Sequence, residues 1–345
     1  MNKTDIVSYN LVQLQQEMNA LGYKAFRSKQ IYEWIHVKLC TSFAQMTNLS
    51  KGIRAQLEEH YTLTFLEVLE RQVSQKDGTN KFLFRLSDNH VIESVFMRYK
   101  HGNSVCISTQ VGCRMGCTFC ASTIGGLRRN LTVSEMLKQI YEIRRLTGER
   151  ISNVVLMGTG EPLDNYDNVV QFIQMLSDEH GLHISQRNIT VSTCGLVPKM
   201  QKLASEQLQI TLALSLHGVT QEKRKALMPI ANTYELKEVL AACEEYYQKT
   251  KRRISFEYSL VAGVNDTKAD AEELARLLKG KNCHLNLIPV NPIRERSYER
   301  PTRENAIQFK NKLEKNSINV TIRREMGTDI DGACGQLRRS YMNEE

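Results

Sequence analysis

The chain has 345 residues, of which 41% are apolar and 24% charged, and it carries a formal net charge of +8. These proportions suit a globular protein with one core of moderate size and appended modules, and they exclude a disordered or low-complexity polymer. No run of about eighteen apolar residues occurs, and the opening MNKTDIVSYNLVQLQQEMNA lacks the apolar stretch of a signal peptide, so a cytoplasmic location with no membrane partner is expected.

Residues 1–75 read as an N-terminal helical accessory domain. Ala25 to Ile35, AFRSKQIYEWI, places apolar residues at helical spacing, and Ser50 is placed to cap the helix that follows. Residues 76–98 read as a β-hairpin extension, with strands over Lys81–Leu86 and Val91–Met97 and a turn at Asp88-Asn89. From 99 to 300 strand-like runs alternate with helical ones. The strand-like runs are SVCIST (104–109), NVVLMG (153–158), NITVST (188–193), ITLALSL (210–216), ISFEYSL (254–260) and HLNLIPV (284–290). Helical periodicity is clearest over Val133–Leu146 and Leu236–Lys249. Such alternation implies a parallel sheet, because parallel strands need crossover connections. Six units predict an α/β fold built on an incomplete (β/α)6 barrel. Residues 301–345 form a C-terminal segment with one late strand, NVTIRR (319–324), and the stretch GTDIDGACGQLRR.

Nine cysteines in a cytoplasmic chain are not expected to form disulfide staples. Cys40, Cys194, Cys243, Cys283 and Cys334 are scattered, and each reads first as a small buried hydrophobe. The other four lie in SVCISTQVGCRMGCTFCAS (104–122), where Cys113, Cys117 and Cys120 have the spacing C-x3-C-x2-C and Cys106 stands apart. The triplet sits after the first strand of the alternating region, where parallel α/β folds place their sites. A structural zinc takes four ligands, and here there are three with no fourth Cys or His at short range. A [4Fe–4S] cluster on three thiolates keeps one iron open for a small molecule.

The triplet, with Phe119 before its last cysteine, resembles the radical S-adenosylmethionine (SAM) superfamily, in which the open iron binds SAM and electron transfer generates a 5′-deoxyadenosyl radical. MGTGEPL (157–163) resembles the Gly-Glu-Pro element of that superfamily, although alone it also suits an ordinary strand-to-helix turn. VCISTQVGC, MGTGEPLDN, SLHG (215–218) and DIDGACGQLRR (329–339) together resemble the RlmN/Cfr family of RNA adenosine methyltransferases, over nearly the whole chain. Within that family, GTGEPLDNYDNV and VNPIRERSYERPT look like the C2-methylating branch rather than the C8-methylating branch that confers antibiotic resistance.

The resemblance implies residue roles. Cys113, Cys117 and Cys120 match the ligands of one [4Fe–4S] cluster per chain. Gly160, Glu161, Ser192, Ser215, His217 and Asn291 match positions that hold SAM. Cys334 matches the cysteine that carries the methyl group, Cys106 the second catalytic cysteine and Glu93 the base. The family uses two SAM per turnover. One methylates the Cys334 thiolate, and the other supplies the radical that activates the S-methyl group for addition to adenine. Cys106 then attacks the Cys334 sulfur and releases the product through a disulfide. The implied partners are 23S rRNA at the peptidyl-transferase centre, a tRNA adenosine beside the anticodon, and an electron donor such as flavodoxin or ferredoxin. A monomer is expected. Local alternatives stay open: His217 as a strand-end cap, Ser192 as a turn serine, Glu93 as a surface carboxylate of the hairpin.

Basic clusters at Arg128-Arg129, Lys251–Arg253, Arg294 with Arg296, Arg300 with Arg303, Arg323-Arg324 and Arg338-Arg339 suit a polyanionic partner. On charge alone, solvated faces explain them equally well. A zinc-stabilised RNA-binding protein without catalysis is the competing class.

Overall fold

The computed structural model describes residues 3–293 and 295–330. The N-terminal module runs β1 (Thr4–Asp5), α1 (Leu11–Ala20), α2 (Ala25–His36), α3 (Lys51–His60) and β2 (Tyr61–Thr62). Asn10 and Gln13 form a capping box that starts α1, and the Ser50 side chain accepts from Ile53 N to start α3. β1 and β2 pair in parallel and tie the ends of the module together.

Three antiparallel strands follow: β3 (Glu67–Val73), β4 (Asn80–Arg85) and β5 (Val91–Met97). The expected hairpin is β4–β5. Residues 67–73, which fall inside the segment read as helical, instead add a third strand. The physical reason is pairing: EVLERQV is half exposed along its length and is held by the ladder to β4 rather than by its own apolar pattern.

β5 pairs with β6 (Ser104–Cys106), which opens the parallel region. β7 (Gln110–Gly112) and β8 (Leu127–Asn130) form a small separate antiparallel sheet. The chain continues through α4 (Val133–Thr147), β9 (Asn153–Leu156), α5 (Tyr166–Ser177), β10 (Ile189–Thr193), α6 (Val197–Ser205), β11 (Thr211–Ser215), α7 (Gln221–Leu227), α8 (Leu236–Thr250), β12 (Ile254–Leu260), α9 (Lys268–Leu278), β13 (Cys283–Pro289), α10 (Arg303–Lys315) and β14 (Val320–Ile322). The main sheet has ten strands in the order β14-β13-β12-β11-β10-β9-β6-β5-β4-β3. The six expected strands, β6 and β9 to β13, are adjacent, parallel and in sequence order, as in the wall of a barrel. β14 adds a seventh in parallel, and the sheet stays open with β14 and β3 as its edges.

The N-terminal module is not detached from this body. α4 is buried on every face from Val133 to Ile143. Across that helix, His36 Nδ1 meets Tyr141 Oη at 2.7 Å, Ser134 Oγ donates to Asp5, and Ser134 N donates to Ser8 Oγ at 3.2 Å. One apolar core runs from Leu14 and Ile31 in the module to Phe256 and Leu285 in the sheet. Among the described residues no helix is long and apolar enough to cross a membrane.

Candidate active site

A cavity of about 580 Å³ lies at the carboxyl ends of the parallel strands. Eleven of the twelve expected site residues line it: Glu93, Cys106, Cys113, Cys117, Cys120, Gly160, Glu161, Ser192, Ser215, His217 and Asn291. The twelfth, Cys334, lies outside the described residues, as do Arg338-Arg339 and Arg294.

The cysteine loop is held at both ends by the β7–β8 pair, with Cys113 N donating to Gly126 O at 3.1 Å. Inside it, Thr123 Oγ1 donates to Cys120 O at 2.9 Å and to Cys117 O at 3.2 Å. Thr118 N donates to Leu227 O at 2.9 Å, which ties the loop to the end of α7. Cys117 packs with Cys194, Leu227 and Met228, beside Met115, Phe119 and Cys120. Burial raises all three thiols, with Cys113 pushed up to about 12. A metal centre held there would supply the positive charge that keeps them as thiolates. Among the described residues no three His, Cys, Asp or Glu side chains group closely enough to hold a single metal ion. A cluster spreads its ligands over several irons, so this donor set fits the cluster better than zinc.

The Gly-Glu-Pro turn follows β9. A Cβ on Gly160, where φ is +116°, would stand 2.7 Å from Gln110 Cβ and from Thr109 Oγ1; one on Gly158 would stand 2.6 Å from Ile107 O. The close approach these glycines permit is therefore to the chain leaving β6. The buried Glu161 carboxylate accepts from Leu163 N at 3.0 Å and Cys194 N at 2.8 Å, so it ties the turn to the end of β10.

Polar groups from successive strand ends complete this side: Ser192 from β10, Ser215 from β11, His217 beyond it, and Asn291 beyond β13. His217 Nδ1 accepts from Ser259 N at 2.9 Å, which leaves the ring proton on Nε2. Burial, with a smaller effect from the Arg224 cation, lowers its pKa to about 3 and keeps the ring neutral. His217 thus both ties a strand end and lines the cavity. The Asn291 side-chain oxygen accepts from Arg300, whose guanidinium also pairs with Glu325.

The opposite wall comes from β4, β5 and β6. Val95 stands opposite Cys106 on one side and Lys81 on the other, so the three form one row across three strands. Glu93, two residues from Val95, shares its face. Lys81 Nζ lies 3.2 Å from Glu93 Oε2 with both side chains buried. Glu93 is 2% exposed, so its reading as a surface carboxylate does not hold. Burial pushes the Cys106 thiol up to about 11; Arg323 and Lys81 oppose this and Glu93 adds to it. Lys81 was not expected at the site, and its one signal is a lysine on the same strand face as Leu83 in KFLFRL.

The chain leading to Cys334 crosses the mouth of the cavity through Met326, Gly327, Thr328 and Ile330. It is fastened to the β3–β4 turn. Ser74 Oγ and Gln75 N donate to the Asp329 carboxylate at 2.6 and 2.8 Å, and Gly327 N donates to Asp77 Oδ2 at 2.9 Å. Arg300, Arg323 and Arg324 line the same mouth. The Lys251–Arg253 cluster instead precedes β12, at the amino ends of the strands, and Arg129 pairs with Asp88 and Glu135. The eight described cysteines are free thiols, and Cys40, Cys194, Cys243 and Cys283 are buried as expected.

Comparison with known proteins gives concordant matches. The radical SAM superfamily matches residues 107–278, and the ribosomal RNA large subunit methyltransferase N-terminal domain matches residues 4–63. A probable dual-specificity RNA methyltransferase RlmN of Lachnoclostridium phytofermentans is 64% identical over 342 residues, covering 99% of this chain and 96% of its own. One from Lachnospira eligens is 60% identical, with 99% and 97% covered. A radical SAM methyltransferase of known structure from Sphaerobacter thermophilus superposes with a TM-score of 0.92 at 42% identity, over 96% of this chain and 98% of its own.

Proposed function

We propose that this chain, which belongs to the RlmN family of radical SAM RNA methyltransferases, methylates C2 of an adenosine in 23S rRNA and of a tRNA adenosine beside the anticodon. The observation that carries the reading is that one cavity is lined by the three-cysteine loop on one wall and by Cys106 and Glu93 on the other. Relatives named as dual-specificity enzymes support the two RNA substrates.

When bound, the cluster with SAM supplies an electron and a carbon radical that ordinary side chains cannot make. Cys113, Cys117 and Cys120 hold that centre. The strand-end groups Ser192, Ser215, His217 and Asn291, with the Gly160–Glu161 turn, hold SAM over it, and two SAM serve each turnover. Cys334 accepts a methyl group on its sulfur and, through it, forms the covalent link to adenine. The Cys106 thiolate attacks the Cys334 sulfur. A disulfide forms, the bond from that sulfur to the methylene carbon breaks with its electron pair on carbon, that carbon takes up a proton to become the methyl group, and a dithiol reductant returns the two thiols for the next turnover. Glu93 removes the proton from the ring carbon. Residues 1–75 act as the accessory domain, 76–98 as an extension that brings Glu93, 99–300 as the catalytic core and 301–345 as the methyl-carrying segment. A low-potential donor such as flavodoxin or ferredoxin provides the electron.

The test is mass analysis of nucleosides from 23S rRNA and tRNA treated with the anaerobically reconstituted enzyme. 2-Methyladenosine in both is the expected result. 8-Methyladenosine would assign the chain to the other branch, and no methylation of tRNA would remove the second substrate.

A further inference from the structure

We infer that Arg224 is the buried counter-charge of the three-cysteine centre, set to stabilise its reduced state. The inference rests on the reading of Cys113, Cys117 and Cys120 as cluster ligands.

Arg224 lies on α7 and has no exposed surface. Its Nη2 donates to Cys194 O at 2.6 Å. Its Nε and Nη1 have no hydrogen-bond partner among the described residues, and no carboxylate among them pairs with it. A guanidinium does not shed its proton, and an uncompensated cation in a protein interior is strongly unfavourable. Something anionic therefore belongs beside it.

Among the described residues no carboxylate is within ion-pair distance of Arg224. Both Glu161 oxygens already accept backbone N–H groups. Cys194, whose carbonyl takes Arg224 Nη2, packs directly against Cys117. The fold sets Arg224 beside the cysteine loop. Leu227, one turn on, accepts from Thr118 N inside the loop and packs with Met228 against Cys117. Gly218 lets the helix come this close, since a Cβ there would stand 2.6 Å from Arg224 N.

Three thiolates around a [4Fe–4S]2+ core sum to a charge of −1. One electron, from dithionite in the experiment, takes the core to 1+ and the sum to −2. A fixed positive charge nearby favours the more negative state and raises the reduction potential.

The experiment compares the reconstituted wild-type enzyme with R224Q and R224K in anaerobic redox titrations followed by electron paramagnetic resonance, with iron and sulfide counted per chain. R224Q keeps a donor for Cys194 O and loses the charge; R224K keeps the charge. At the wild-type midpoint, the ratio of reduced to oxidised cluster should fall roughly tenfold in R224Q, a downward shift of about 59 mV for one electron. R224K should stay near wild type. In the metal-free chain the order reverses: R224Q should melt no lower than wild type, because a lone buried charge is gone. Equal midpoints for R224Q and wild type at equal cluster content would overturn the inference and leave the cluster reading intact. A metal-free R224Q that melts below wild type would also overturn it and make Arg224 a purely structural tie to Cys194. If R224Q takes up no cluster but melts normally, and R224K takes it up, the counter-charge is required for assembly, which supports the inference. A wild-type chain that takes up no iron or sulfide would instead sink the reading on which it rests.

Discussion

On the cysteine-loop wall of the cavity, two buried thiols, a half-buried one and a buried guanidinium have no ion pair among the described residues, whereas on the β4–β5–β6 wall Lys81 and Glu93 are buried as a pair. The first wall is electrostatically incomplete among the described residues. The second is complete within the chain. The difference matches two tasks. A wall that receives an electron-accepting centre needs soft donors in an apolar shell, with charge held in reserve. A wall that moves protons and attacks sulfur needs a carboxylate kept in place before the substrate arrives.

The contrast between the walls breaks most completely at the cysteine loop. Replacing any one of Cys113, Cys117 or Cys120 with Ala should abolish SAM cleavage, so that 5′-deoxyadenosine is undetectable by chromatography while the protein still folds. Wild-type levels of that product would refute the assignment of this wall.

Disabling the other wall should leave the first working. Cys106→Ala should keep cluster content, SAM cleavage and Cys334 methylation, and should block release. A protein–RNA adduct should accumulate as a slow band on a denaturing gel, collapse with nuclease, and vanish when Cys334→Ala is added. Normal turnover without an adduct would make Cys106 an ordinary strand residue.

Lys81→Met should cost about 3–5 kcal/mol of stability by chemical denaturation, because it removes the buried cation that pairs with Glu93. Adding Glu93→Gln should recover much of that loss, since the charge that Lys81 balanced is removed as well. Additive losses would show that the two side chains do not act as a pair.

Smaller effects are expected where the RNA enters. Charge reversal at Arg323-Arg324, on the cavity mouth, should flatten the slope of log affinity against log salt by about one for each phosphate that is no longer neutralised. The same change at Lys251–Arg253, at the amino ends of the strands, should leave the slope unaltered. The reverse outcome would move the RNA to the other end of the sheet.

The smallest effect concerns the fastening of the chain that leads to Cys334. Burial raises the pKa of Asp77, but hydrogen bonds from Gly327, Thr79 and Ser74 outweigh it and bring the value down to about 2. A folded-state pKa below the unfolded one stabilises above the ordinary aspartate range near 4, and the contribution is lost as pH falls through about 2. Hydrogen exchange in 74–79 should therefore quicken in acid, relative to its intrinsic rate, in the wild type and not in Asp77→Asn. Equal acid response in both would remove Asp77 from the latch.

The sequence by itself determined the six parallel strands, because short apolar runs between amphipathic helices are a local signal that the crossover rule turns into a sheet. It determined the cysteine triplet for a similar reason, since all three cysteines come from one loop. It also marked nine further positions, eight of which meet at the cavity and one of which, Cys334, lies beyond the described residues. Only the tertiary structure decided the rest. EVLERQV is a strand because β4 offers it a ladder, which its own half-exposed pattern does not announce. Lys81 meets Glu93 only through the β4–β5 register, in which a slip of one residue would turn each side chain to the other face. Glu161 is a tie because Cys194 N lies 33 residues away in sequence and 2.8 Å away in space. Asp329 and Ser74 are separated by 255 positions and share a hydrogen bond. Arg224, in an ordinary stretch of a short polar helix, becomes a buried cation only when α7 packs beneath the cysteine loop. Spacing along a chain reports what one loop or one helix face can do, whereas charge pairing and burial depend on which distant segments the packed core brings together.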